Sequence, residues 1–242
     1  MDLGQYVSAG FVVTQRFPRP AYTAADLLPP TIVSASGDLA VFIPDLWAIA
    51  WCGVDPSDRR RDAARLGIPA ERVDRIVGEV TSLVADGARY GWPNVCYTLD
   101  AAAVMARLAA PAGRMVVLEL GLDRRHADRF VEASTPPPSA PGAAAFGEAG
   151  VRTAVRRGMA PLADGRPLGF EPLCFDHALG CSWLCNGLEV AVAGELRIRP
   201  NRAGLLDTAG EADRAVAYIS REDVGAEPGL WLPWLLIEHT VA

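Results

Sequence analysis

Met115-Val-Val-Leu-Glu-Leu-Gly-Leu-Asp123-Arg-Arg-His-Ala-Asp-Arg-Phe-Val-Glu132 changes its character in mid-course. Residues 115–120 read as a buried strand. Asp123 is a helix N-cap, and a helix follows to about Glu132. The next stretch, Ser134-Thr-Pro-Pro-Pro-Ser-Ala-Pro-Gly142, cannot continue either element. Its three consecutive prolines remove three backbone donors and impose an extended chain. A strand, a single helix and then a break do not make a regular strand–helix alternation. The segment therefore favours an α+β fold, antiparallel strands with packed helices, over a doubly wound one. The break also divides the 242 residues into an N-terminal α+β half, 1–133, a proline-rich linker or loop, 134–142, and a C-terminal α+β half, 143–242.

Upstream, residues 11–17 read as a strand that Pro18 and Pro20 end. Runs 31–36 and 39–43, with Ser36-Gly37-Asp38 between them as a turn, and a third run 46–52 suggest an antiparallel meander. Asp55-Pro56 opens a helix that Gly67 closes. Residues 69–86 form the clearest helix, with Val73, Ile76, Val77, Val80, Leu83 and Val84 on one stripe. A short strand at 94–98 precedes a small helix that Asp100 caps.

Downstream, 143–157 reads as a helix and 168–175 as a strand that Pro172 confines to an edge or a bulge. Residues 181–193 show helical spacing, with Cys181, Leu184, Cys185, Leu188 and Val192 on one side. A short strand at 196–199 follows, and Thr208-Ala-Gly-Glu211 is a capping box. The chain ends in a strand, Leu230–His239.

Composition excludes several classes of function. The net charge is −6, all 23 basic residues are arginine, and no basic stripe suits nucleic acid. The run Arg59-Arg60-Arg61 stands among Asp55, Asp58 and Asp62 and reads as a solvated helix face. No stretch reaches the roughly 18 apolar residues of a membrane helix. Five cysteines in no secreted-scaffold pattern fit a reduced, cytoplasmic protein. The abundance of Ala, Gly and Pro with arginine as the only cation suggests a GC-rich bacterial genome.

Candidate chemistry gathers between Cys174 and Glu189. Cys174, His177, Cys181 and Cys185 offer four candidate zinc ligands, but the spacing is that of no standard finger or ribbon, so the expectation is buried thiols and no metal. Cys185 with His177 and Asp176 supplies the residue types of a nucleophilic site. Ser182, Asn186 and Glu189 recur at i, i+4 and i+7, as a ligand-facing stripe or as the solvated side of a helix. Neither a phosphate loop nor a serine elbow occurs, and no cofactor is expected. Trp231 and Trp234 lie three apart on the last strand and so point to opposite faces, unless Pro233 bulges the strand and rotates one. Exposed tryptophan is a common interface anchor, and Trp231, Trp234, Trp183, Asn186 and Glu189 are the candidate binding residues. Core packing is the competing reading of the tryptophans.

Three stretches carry a resemblance: Ser182-Trp-Leu-Cys-Asn-Gly-Leu-Glu189, Arg199-Pro-Asn201 with Gly204-Leu-Leu206, and Glu227-Pro-Gly-Leu-Trp-Leu-Pro-Trp234. They resemble uncharacterised bacterial proteins, some of which look like immunity proteins encoded beside secreted toxins. The resemblance covers mainly 168–239. It implies a non-enzymatic protein that binds a protein partner, for an acidic chain a basic toxin. The alternative is a small cysteine-dependent hydrolase or transferase centred on Cys185 and His177.

Overall fold

The computed structural model describes residues 1–36, 39, 56–65, 67–85, 90–91, 95–110, 113–134, 150–176, 179–185 and 187–241. The strands are β1 (Tyr6–Gln15), β2 (Phe17–Pro18), β3 (Thr31–Ile32), β4 (Tyr90–Gly91), β5 (Val95–Cys96), β6 (Met115–Asp123), β7 (Arg166–Asp176), β8 (Leu179–Ser182) and β9 (Leu230–His239). Seven of them form one antiparallel sheet in the order β4-β5-β1-β6-β9-β7-β8, and β2 pairs with β3 apart from it. The helices are α1 (Pro56–Arg65), α2 (Ala70–Ala85), α3 (Leu99–Ala109), α4 (Arg124–Ala133), α5 (Gly150–Arg157), α6 (Leu188–Leu196) and α7 (Ala209–Ile219). This is an α+β chain. None of the described helices is long and apolar enough to cross a membrane.

The two sequence halves share the sheet. β6 from the first pairs with β9 from the second over Val117–His239 to Leu122–Trp234. Strand alternation then sorts the core by face. Val117 and Phe11 stand on one face and pack with α1, α2 and α3, while Trp231, Leu235 and Ile237 of the same face pack with α6 and α7. Leu118, Leu120, Leu232, Trp234 and Leu236 stand on the other face with Phe130 of α4 and Val151 and Val155 of α5. Residues 135–149, which hold most of the proline-rich segment, lie outside the described residues.

β1 needs a bulge to keep this sorting. Its register against β6 slips between Ser8 and Phe11. Ser8 and Phe11 therefore share a face although their numbers differ by an odd step. Gly10 makes the slip possible: its φ is +94°, and a Cβ there would lie 2.3 Å from Val95 Cγ1. The strand also begins at Tyr6, five residues before the 11 expected.

Pro172 does not place β7 at an edge, since β7 lies between β9 and β8. It pairs with Pro233 of β9. The Trp183 N–H donates to the Pro172 carbonyl at 3.1 Å. The reciprocal donor is the one proline lacks, and β8 ends there, at Ser182. Pro233 in turn extends the β9 register to Asp123, where β6 ends and α4 begins. Each missing N–H thus falls where a neighbouring strand stops, and a central strand can hold both prolines.

Other expectations need correction. Thr98, not Asp100, caps α3, its side chain accepting the Ala101 N–H. Run 31–36 is a strand only at Thr31–Ile32, paired with β2; the runs 39–43 and 46–52 fall, apart from Leu39, outside the described residues. Residues 196–199 hold no strand, because α6 runs to Leu196 and Arg197 turns left-handed at φ 57°. Residues 181–193 are not one helix. Cys181 belongs to β8, a turn follows, and α6 starts only after Gly187, whose φ of 64° opens the helix. Leu184, Leu188 and Val192 do enter one core, with Cys181 and Cys185 at its margin, but strand, turn and helix bring them there. The helices 56–65 and 70–85, the Asp123 cap, the Thr208–Glu211 capping box and the last strand stand where the sequence places them.

Candidate functional site

The end of β8 gathers the polar groups nearest to Cys185. Glu171 stands on β7 opposite Trp234 of β9 and is fully buried. The Ser34 hydroxyl donates to its Oε1 at 2.5 Å and the Ala35 N–H to its Oε2 at 2.9 Å. Ser182 adds a further hydrogen bond. The Ser36 N–H donates to Ser34 Oγ at 2.9 Å, and Ser36 Oγ lies 3.6 Å from Cys185 Sγ. The Leu184 N–H donates to Ser182 Oγ at 3.2 Å, and the Cys185 N–H donates to the Ser182 carbonyl at 2.9 Å. Two serines, joined through the Ser36 backbone N–H, thus lie between a buried carboxyl and a half-buried thiol.

Burial pushes the Glu171 carboxyl up to about 7, against the three hydrogen bonds that favour its charged form. A carboxyl tuned to neutrality is what a general base requires. In this arrangement its oxygens are taken by groups that tie the 34–36 loop and β8 to the sheet.

A second buried carboxylate occupies the opposite face. Glu119 of β6 accepts the Ser8 hydroxyl at 2.6 Å and the Leu162 N–H at 3.1 Å, and His239 Nε2 lies 2.9 Å from its Oε2. Serine, histidine and glutamate meet here, but not as a triad. Ser8 and His239 both bind the carboxylate, whereas a nucleophile must bind the imidazole. The cluster joins β1, β6, β9 and the loop before β7.

The residues singled out from sequence separate. Trp231, Trp234 and Trp183 are each at most 2% exposed, so they are core residues and not surface anchors. Trp231 donates from Nε1 to the Glu227 carbonyl at 2.9 Å, and Trp234 meets Phe130 edge-on at 5.1 Å. They do point to opposite faces, and both are buried because both faces of this sheet are covered. Glu189 is buried rather than solvated and accepts the Ala24 N–H at 2.9 Å. Asp176 ends β7 opposite Leu179. His177 and Asn186 lie outside the described residues, so the Cys185–His177 pair and a four-ligand metal set involve positions not described. Among the described residues no three of His, Cys, Asp and Glu converge on a metal-sized site.

The resemblance motifs serve the scaffold in the same way. Asn201 donates to the Leu168 carbonyl at 2.9 Å and accepts the Ala203 and Leu205 N–H groups, seating the 201–206 loop on β7. Gly169 permits that approach, since a Cβ there would lie 2.6 Å from the Leu206 carbonyl oxygen. Sequence reasoning missed Glu119, Glu171, Ser8 and Ser34. Their signal was a lone glutamate inside an apolar strand, in Val-Val-Leu-Glu119-Leu and Gly-Phe-Glu171-Pro-Leu.

One exposed feature adjoins this region. Tyr22 is 61% exposed, the one exposed aromatic among the described residues, and Val190 on α6 is 55% exposed. The Glu189–Ala24 bond holds the Tyr22 loop against the helix that carries Val190. Thr23 closes the turn with its N–H at 3.1 Å and its hydroxyl at 2.6 Å from the Pro20 carbonyl, and Arg19 donates to the Thr23 carbonyl. No family model, no curated protein and no solved structure matches this chain.

Proposed function

We propose that this chain is a non-enzymatic, cytoplasmic protein-binding protein, immunity-like, that recognises a basic protein partner. The observation that carries the proposal is Tyr22, an exposed aromatic on a turn already fixed by four hydrogen bonds to Pro20, Thr23 and Glu189. A rigid aromatic anchor loses little entropy on docking, and tyrosine is a frequent hot spot. The net charge of −6 speeds encounter with a basic surface. Tyr22 and Val190 replace the buried tryptophans as the anchor in this reading. The test is calorimetric titration with the product of the neighbouring gene, which this reading expects to be a basic secreted toxin. Tyr22→Ala weakens binding at least tenfold, on the order of a hot-spot loss, with the melting temperature unchanged. Absence of binding, or an affinity indifferent to both Tyr22→Ala and Val190→Asp, overturns the reading.

The second reading, a cysteine-dependent hydrolase or transferase centred on Cys185 and His177, draws support from the Ser36 hydroxyl, 3.6 Å from Cys185 Sγ. Cys185→Ser separates the two. A binder keeps its affinity, whereas an enzyme of this kind loses turnover altogether.

A further inference from the structure

The β7–β8 hairpin places two cysteines directly opposite each other, Cys174 against Cys181. The bond from the Trp183 N–H to the Pro172 carbonyl fixes the phase of this ladder. Residues 172 and 183, and two steps further on 174 and 181, are therefore pairs of the hydrogen-bonded kind, with Cα atoms about 5.5 Å apart. A disulfide spans Cα separations of roughly 4.4–6.8 Å, most often near this value. Both residues are thiols in this structure. Cys174 is buried on the face that holds Trp231, whereas Cys181 is half-exposed. The Cys174 sulfur rests over Gly229, where a Cβ would lie only 2.3 Å from it. A rotation about χ1 between staggered wells redirects it across the hairpin.

We propose that Cys174 and Cys181 form a reversible cross-strand disulfide, a redox site on the β7–β8 hairpin whose oxidant is a peroxide. The accessible Cys181 reacts first. Its thiolate attacks one peroxide oxygen, the O–O bond breaks, and the sulfur becomes a sulfenic acid as the first water leaves. The Cys174 thiolate then attacks that sulfur, the S–O bond breaks, and a second water leaves with the proton from Cys174. Two thiols and one peroxide give one disulfide and two waters, the two sulfurs supplying both electrons. Opposed Cβ atoms in a hydrogen-bonded pair stand about 5.5 Å apart, wider than the roughly 3.5–4.5 Å a relaxed disulfide takes. The bond draws the strands together and is strained, so a small thiol reopens it at the exposed Cys181 sulfur. That is the behaviour of a labile disulfide rather than a structural one. The closed bond clamps β8, whose last residue, Ser182, holds Glu171 and leads into the Cys185 turn.

The experiment treats the reduced full-length protein with one equivalent of hydrogen peroxide under native conditions. Intact mass and non-reduced peptide mapping are then read, followed by reduction with glutathione. The expected result is a loss of two hydrogen masses, a single linked peptide pair joining Cys174 to Cys181, and full reversal. A linkage through Cys185, Cys96 or Cys52 overturns the proposal. So does oxidation that halts at a sulfinic acid on Cys181, or no change in mass. In Cys174→Ser the Cys181 sulfenic acid persists and is trapped by dimedone; if that variant does not fold, the wild-type map alone decides.

Discussion

Glu119 and Glu171 occupy equivalent positions on opposite faces of one sheet, yet they are held differently. Each is at most 1% exposed, sits on a central strand and accepts a serine hydroxyl and a backbone N–H. Glu119 also has an imidazole, His239 Nε2, at 2.9 Å. Glu171 has only neutral donors from Ser34, Ala35 and Ser182, and its carboxyl is pushed up to about 7. Neutral hydrogen bonds satisfy the lone pairs of a buried carboxylate without fully replacing its hydration. Equal burial and similar bond counts thus leave room for different partners, an imidazole at Glu119 and neutral donors alone at Glu171.

The largest effect comes from taking the imidazole away. His239→Ala leaves Glu119 buried without one of its partners and also removes the ring that meets Phe11 edge-on at 5.5 Å. Stranding a partner of a buried hydrogen-bonded carboxyl costs about 1–3 kcal/mol, and the space left by the ring adds to it. Urea unfolding at neutral pH checks this, and a loss below about 1 kcal/mol would show that the imidazole is a bystander.

The next effect belongs to Glu171 and depends on pH. Its folded value is raised from an ordinary 4.5 to about 7, so between those values the folded chain holds a proton that the unfolded chain has released. The stabilisation is fully present below about 4.5 and is lost as pH rises through about 7. The difference amounts to about 3 kcal/mol. Glu171→Gln keeps a neutral side chain at every pH, and its amide donates to Ser34 Oγ while its carbonyl accepts from Ala35. Subtracting the variant's pH–stability curve from that of the wild type should leave a fall between about pH 4.5 and 7. A flat difference would mean that Glu171 titrates at its ordinary value.

Neither carboxylate was read from the sequence as a special position, and the reason is physical. Periodicity reports which face a residue occupies, and it located the helix at 70–85, where Val73, Ile76 and Leu83 form a buried stripe, and the last strand, a buried run; the helix at 56–65 was legible from its ends, Asp55-Pro56 and Gly67. It does not report what covers the opposite face. Trp231 and Trp234 alternate correctly, but only the placement of α4 and α7 on the two sides makes both core. The 181–193 misreading has the same origin. Cys181, Leu184, Cys185, Leu188 and Val192 do approach a common core, and a strand–turn–helix can imitate helical spacing when Gly187 resets the backbone. The loop that supplies Ser34 and Ala35 lies some 136 residues from Glu171, and no local pattern announces such a meeting. Caps fared better because their partners are three residues away or fewer, as at Asp123 and Thr208.

The smallest effect sharpens the comparison at its most local point. Ser34→Ala removes the largest of the hydrogen-bonding contributions that favour the charged form of Glu171, and so raises that carboxyl further. It also deprives the Ser36 N–H of its acceptor, Ser34 Oγ at 2.9 Å. The two losses differ in their dependence on pH. The stranded Ser36 amide costs the same at every pH. The missing hydroxyl matters most where Glu171 is charged, because hydrogen bonds to ionised groups are the stronger ones. The variant should therefore be destabilised by about 1–2 kcal/mol at pH 8 and by less at pH 5. The fall in its pH–stability curve should move to higher pH than in the wild type. An equal loss at pH 5 and pH 8, measured by thermal unfolding, would assign the whole cost to Ser36. The Ser34–Glu171 bond would then seat the loop without tuning the carboxyl.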